Sequence, residues 1–111
     1  MKAILTKSPV QPILTKLNSY LQNEYKNNLV QVVLFGSQAR EDARLDSDID
    51  ILIILKNDFD YYQEIKQISP FVSDLCLEYN RLITCCFTTL KQWQTENSAF
   101  YRNIRKEGII A

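Results

Sequence analysis

Leu14, Leu17 and Leu21 recur at helical spacing with Tyr25 extending the stripe, which predicts a helix from about residue 8 to 26. Ser8, with Pro9 next, supplies a capping-type start. The period then changes. Residues 29–35 (LVQVVLF) are β-branched and apolar and predict a buried strand stopped by Gly36. Ser37 opens a short helical stretch to about Leu45, and residues 48–56 (DIDILIILK) predict a second, strongly apolar strand. Helical character returns from Asp60 to about Tyr79, where Ser69 followed by Pro70 predicts an interruption and a fresh N-terminus. Residues 81–88 (RLITCCFT) are the third expected strand. Helices at 90–93 and 99–107 complete the chain, with Gly108 where a C-terminal cap belongs. The order α-β-α-β-α-β-α indicates an α/β layer fold. Three strands are too few for a doubly wound sheet, so a small sheet with helices mostly on one side is expected.

Composition narrows the chemistry more than the fold. The chain of 111 residues is the size of one domain, and 1–111 reads as a single unit without linker or repeat. Thirteen basic residues balance thirteen acidic ones, so the broad basic footprint of a nucleic-acid binder is missing. Arg102, Arg105 and Lys106 cluster near the end, where the helix dipole accounts for them. The apolar runs fall short of the roughly 20 residues a membrane span needs, and the N-terminus does not make a signal peptide. There is no histidine, which removes Ser-His-Asp and Cys-His nucleophile systems and His-containing zinc sites. The three cysteines, Cys76, Cys85 and Cys86, are an odd set with two adjacent members. On a strand those two point to opposite faces, so they are expected as small apolar fillers in a reducing, cytoplasmic setting.

The informative stretch runs from Leu34 to Leu55, LFGSQAREDARLDSDIDILIIL. Asp48 and Asp50 are two apart at the entrance of a strand, so both carboxylates leave one face, with Cα atoms roughly 6.5–7 Å apart. Oxygen ligands so placed suit a hard divalent cation. Two like charges there are unfavourable unless something positive binds between them; solvated strand-end acids are the plain alternative. Gly36 and Ser37 lie between a buried strand and a helix start, where free N–H groups attract phosphate oxygens. A strand-to-helix turn with a serine cap is the bland reading of that pair. No GK[ST] follows, so it is not a Walker loop. Arg40 and Arg44, four apart, could neutralise a polyphosphate or pair with Glu41, Asp42 or Asp46 on a solvated surface.

Gly36-Ser37, ten intervening residues and then Asp48-Ile49-Asp50 resemble the motif of the polymerase-β-like nucleotidyltransferase superfamily. LFGSQAR before, LDSDIDILIIL after and the late FYRNIRKEG resemble its minimal nucleotidyltransferases in particular, over residues 30–109. The resemblance implies a mixed sheet with a nucleotide and magnesium at one edge. It implies that Gly36 and Ser37 hold a triphosphate, and that Asp48 and Asp50 carry catalysis by holding one or two Mg2+ ions. The implied reaction transfers AMP from ATP to a hydroxyl of a partner protein. Minimal nucleotidyltransferases commonly serve as antitoxins beside a helical partner of the HEPN type. Self-association is left open.

Two departures stand out. Glu41 occupies a position that is often glycine in the superfamily, a modest change. The strand at 82–87 reads LITCCF and carries no acid on either face, whereas active members often place a third carboxylate there. Asp74 and Glu78, on the preceding helix, are expected as exposed charges rather than substitutes. Two functions therefore compete. One is an enzyme that modifies its partner; the other is a binding module that neutralises the partner by occlusion, with Phe59, Tyr61, Tyr62, Phe100 and Tyr101 as candidate anchors.

Overall fold

The computed structural model of the chain describes residues 2–3, 9–39 and 47–111. Three seven-residue strands, β2 (Leu29–Phe35), β3 (Ile49–Leu55) and β4 (Ile83–Thr89), carry the sheet. Two two-residue strands, β1 (Lys2–Ala3) and β5 (Ile109–Ile110), extend it to the order β1-β5-β2-β3-β4. The sheet is mixed: β2 and β3 are antiparallel, and β3 and β4 are parallel. A parallel neighbour requires a crossover, and α2 (Tyr61–Tyr79) provides it. The remaining helices are α1 (Gln11–Tyr25), α3 (Leu90–Thr95) and α4 (Ala99–Glu107). Among the described residues no helix is long and apolar enough to cross a membrane.

Alternation along the strands divides the interior in two. Val32, Leu34, Ile49, Ile51, Ile53, Leu55, Ile83 and Phe87 face Ile13, Leu14, Leu17 and Leu21 of α1 and Ile68 and Leu75 of α2. Val33, Leu52 and Ile54 face the other way, onto Ile104 of α4 and Leu90 and Trp93 of α3. Helices therefore cover both faces, correcting the expectation of a mostly one-sided cover. The missed signal was the short α3–α4 pair, whose single buried residue, Ile104, gives a weak apolar stripe.

Local chemistry explains the boundaries. Ser8 lies outside the described residues, and α1 starts at Gln11 with Pro12, not Pro9, in its first turn. Asp60 caps α2 by accepting from the Gln63 amide at 3.1 Å. The interruption expected at Ser69 and Pro70 does not occur. Ser69 Oγ donates back to the Ile65 carbonyl at 2.6 Å, and Pro70 sits inside a continuous helix. Pro70 and Lys66, the residue whose carbonyl loses its partner, are both exposed, so water can take the missing bond. Tyr20 stacked on Phe71 at 4.0 Å fastens that half of α2 to α1. The left-handed stop of α2 is Asn80.

Gly108 occupies the position after α4 as expected, but its backbone is extended rather than left-handed. Space is what demands glycine here. A Cβ would lie 2.5 Å from the Ile104 carbonyl and 2.7 Å from Val33 Cγ1. The chain thus turns flat against β2 and enters β5, which pairs with Val33 and Leu34.

Candidate active site

The register of the sheet sets the site. Asp50 lies opposite Phe35 of β2 and beside Thr84 of β4, and neighbours in register share a face. Its carboxylate consequently emerges on the α3–α4 side, in line with Leu52 and Ile54 but at the strand's entrance. Gly36 follows Phe35 directly and has φ +76°, a conformation that side-chain-bearing residues rarely adopt. A Cβ on Gly36 would lie 2.4 Å from Asp50 Oδ2. The carboxylate occupies the place a side chain would take, so turn and acid are in contact.

Gly36–Gln38 form a single 3-10 turn closed by the Ala39 amide donating to the Gly36 carbonyl at 3.1 Å. Ser37 is half-buried within it. Ala39 packs against the larger core. The rest of the helical stretch expected to Leu45, with Arg40 and Arg44, lies outside the described residues. Asp48 is exposed and immediately precedes β3. Burial pushes the Asp50 carboxyl above the usual carboxylate range, and the negative charge of Asp48 adds to the rise. The two acids therefore act on each other at one open end of the sheet. A cation placed there would relieve both effects.

Among the described residues, two acids meet at this point. The β4 residues on the Asp50 face are Thr84, Cys86 and Thr88, and the one nearest the mouth, Thr84, is exposed and uncharged. No group of three or more His, Cys, Asp or Glu converges anywhere among the described residues. Glu78 pairs with Lys16 of α1, and Asp74 is exposed, so neither substitutes. Two carboxylates with room for water and phosphate oxygens fit magnesium, which dehydrates reluctantly and rarely takes an all-protein cage.

The cysteines are free and packed as fillers, Cys85 against the larger core and Cys86 against the smaller. Burial pushes the Cys85 thiol up to about 12 and the Cys86 thiol up to about 11, the Asp50 charge adding to the latter. They are unreactive thiols at neutral pH.

The aromatic residues divide. Phe100 is half-exposed and meets the Phe35 ring edge-on at 5.7 Å, forming an apolar wall beside Asp50. Tyr62 stays exposed at 72%, while Tyr61 Oη accepts the Phe87 amide on the edge strand at 3.4 Å. Phe59 packs on Phe87. Arg105 has a use the sequence did not reveal. Its Nε donates to the Trp93 carbonyl at 2.8 Å and its guanidinium lies over the Trp93 and Tyr101 rings, tying α3 to α4.

Residues 15–110 match the family model described as Polymerase beta, Nucleotidyltransferase. A protein of Methanocaldococcus jannaschii named for protein adenylyltransferase activity is 36% identical over 95 residues, covering 81% of this chain and 85% of its own. A Sulfolobus solfataricus crystal structure named for nucleotidyltransferase activity superposes with a TM-score of 0.57 at 22% identity, covering 96% of this chain and 87% of that one. A toxin-antitoxin crystal structure with AMP-PNP superposes with a TM-score of 0.58 at 15% identity, covering 86% and 69% respectively. The two structural likenesses concern the fold.

Proposed function

The chain belongs to the polymerase beta nucleotidyltransferase family, and on that premise we propose that it transfers AMP from ATP to a hydroxyl of a partner protein. The observation that carries this reading is the contact between the Gly36 turn and the Asp50 carboxylate. It supports the reading because the turn proposed for phosphate lies against the acid proposed for metal. In this reading Gly36 and Ser37 hold the triphosphate, and Arg40 and Arg44 offset its charge. Asp48 and Asp50 hold Mg2+, which supplies Lewis-acid stabilisation of the phosphate charge when bound. The acceptor oxygen forms a bond to the α-phosphorus as the bond to pyrophosphate breaks. Phe35 and Phe100 shield one side of the cleft from water.

We assign the acceptor to a helical protein of the HEPN type, with this chain as its antitoxin. The resemblance to minimal nucleotidyltransferases supports that, and the protein adenylyltransferase name of the Methanocaldococcus relative supports a protein acceptor. The test has two stages. ATP with Mg2+ should raise the melting temperature of the wild type and leave Asp48→Asn and Asp50→Asn unmoved. Labelled ATP should then label the co-purified partner. No thermal shift at millimolar nucleotide defeats the site, and no label on a confirmed partner defeats the transfer.

A second reading has its own observation. Thr84, not an acid, stands beside Asp50 on β4, which weakens metal binding and assistance to the attacking hydroxyl. If the double variant Asp48→Asn/Asp50→Asn still neutralises the partner in cells, the chain acts by occlusion.

A further inference from the structure

Asp48 presents a difficulty for any metal site. It lies outside β3 and it is exposed. A carboxylate on a loose backbone makes a poor ligand, because ordering it on binding costs conformational entropy. Yet its backbone is held on both sides. Behind it, the Ser47 carbonyl accepts two hydrogen bonds, from Gln38 Nε2 at 3.1 Å and from Arg81 Nη2 at 2.9 Å. Ahead of it, the Ile49 amide donates to the Leu82 carbonyl at 2.9 Å. The two donors come from different elements: Gln38 ends the Gly36 turn and Arg81 leads into β4. Both are half-buried, where side-chain bonds are less contested by water.

The Arg81 side chain is held at a cost. Its Nε is buried with no partner among the described residues, and an unsatisfied buried donor is unfavourable by about 1–3 kcal/mol. A lysine could supply one bond to the Ser47 carbonyl without that penalty. The planar guanidinium holds its donor in a fixed direction, which a lysine does not.

We infer that Gln38 and Arg81 are positioning residues that fix the peptide before Asp48, so that its carboxylate meets a metal ion already oriented beside Asp50. The inference rests on the proposed metal–nucleotide site. It makes Gln38 the means by which the phosphate-binding turn and the metal-binding acids are set relative to each other.

The test is a Mg2+ titration of ATP binding by the wild type, Gln38→Met, Arg81→Met and Arg81→Lys. Supporting outcomes are a Mg2+ midpoint raised about tenfold in both methionine variants, ATP affinity at saturating Mg2+ within twofold of wild type, and partial recovery in Arg81→Lys. Gln38→Glu keeps the size but replaces the donor by an acceptor, and should shift the midpoint at least as far as Gln38→Met. Amide exchange at Ile49, followed without nucleotide, should speed up in the methionine variants while Val33 and Leu34 are unmoved. Midpoints within twofold of wild type overturn the inference, as does an ATP affinity that falls in step with the midpoint, which marks a general collapse of the site. A wild type that binds no ATP at any Mg2+ concentration overturns the functional reading and this inference with it. Binding by the wild type with unchanged variants overturns this inference alone.

Discussion

The two faces of β3 share one backbone and serve opposite ends. On one, Ile49, Ile51, Ile53 and Leu55 are 0–1% exposed under α1 and α2. On the other, Leu52 and Ile54 are buried just as fully under α3 and α4, but the row continues to Asp50, which is not. The difference lies in the cover. Nineteen- and fifteen-residue helices close the first face along its length. Helices of six and nine residues close only part of the second. A short cover leaves a strand end open to water, and a charged residue can stand there at tolerable cost. The buried apolar rows concentrate on the closed face, and the proposed chemistry occupies the open end of the other.

That division can be broken hardest from the closed face. Ile53→Ala removes a fully buried side chain from the larger core and should cost about 3–4 kcal/mol in urea unfolding. The folded fraction should still bind ATP with Mg2+ at the wild-type affinity. Gly36→Ala should do the reverse. Its strained φ and its overlap with Asp50 should cost about 1–3 kcal/mol, less than the core cavity, while ATP affinity falls at least tenfold in calorimetry. If the two variants lose binding in the same proportion as stability, the faces are not functionally separate.

Most of this architecture was legible because it rests on period. Strand 29–35 was read to its residue, and helix 99–107 as well. Alternation in IDILIIL told which residues share a face with Asp50. What failed were inferences from single residues taken out of context. Pro70 was expected to break a helix that holds because its other positions pack on α1. Gly108 does stand at the C-cap as expected, but the reason it must be glycine, the closeness of Ile104 and Val33, exists only in the fold. Within the site, the glycine–aspartate contact was expected from the motif. The bonds of Gln38 and Arg81 to Ser47 were invisible, since they join residues 9 and 34 positions apart.

A third acid at the mouth sharpens the contrast between metal-free and metal-bound states. Thr84→Asp places a carboxylate in register with Asp50 on an exposed position. Like charges so placed are unfavourable by about 0.2–1 kcal/mol, so the variant should melt below wild type in chelator. With Mg2+ and ATP the order should reverse, and any turnover should rise. A variant that stays below wild type under both conditions would show that Thr84 does not face the metal.

The smallest effect reads the open end most directly. Burial and the Asp48 charge raise the Asp50 carboxyl in the folded protein, so the folded state binds that proton more tightly than the unfolded state does. Stability is therefore lost as pH rises from the ordinary carboxylate value through the raised one, and the penalty is complete at neutral pH. Asp50→Asn carries no charge and escapes the penalty. It should melt about 1–3 °C above wild type near pH 7, a small gain because water screens the open strand end. The gain should fade as pH falls to about 3, where Asp50 is protonated in both states. Adding Mg2+ and ATP at neutral pH should cancel or invert it, because the wild type gains a ligand that the asparagine variant cannot hold. A variant less stable than wild type in chelator at pH 7 would mean that Asp50 supports the fold, and the separation of the two faces would fail at its central residue.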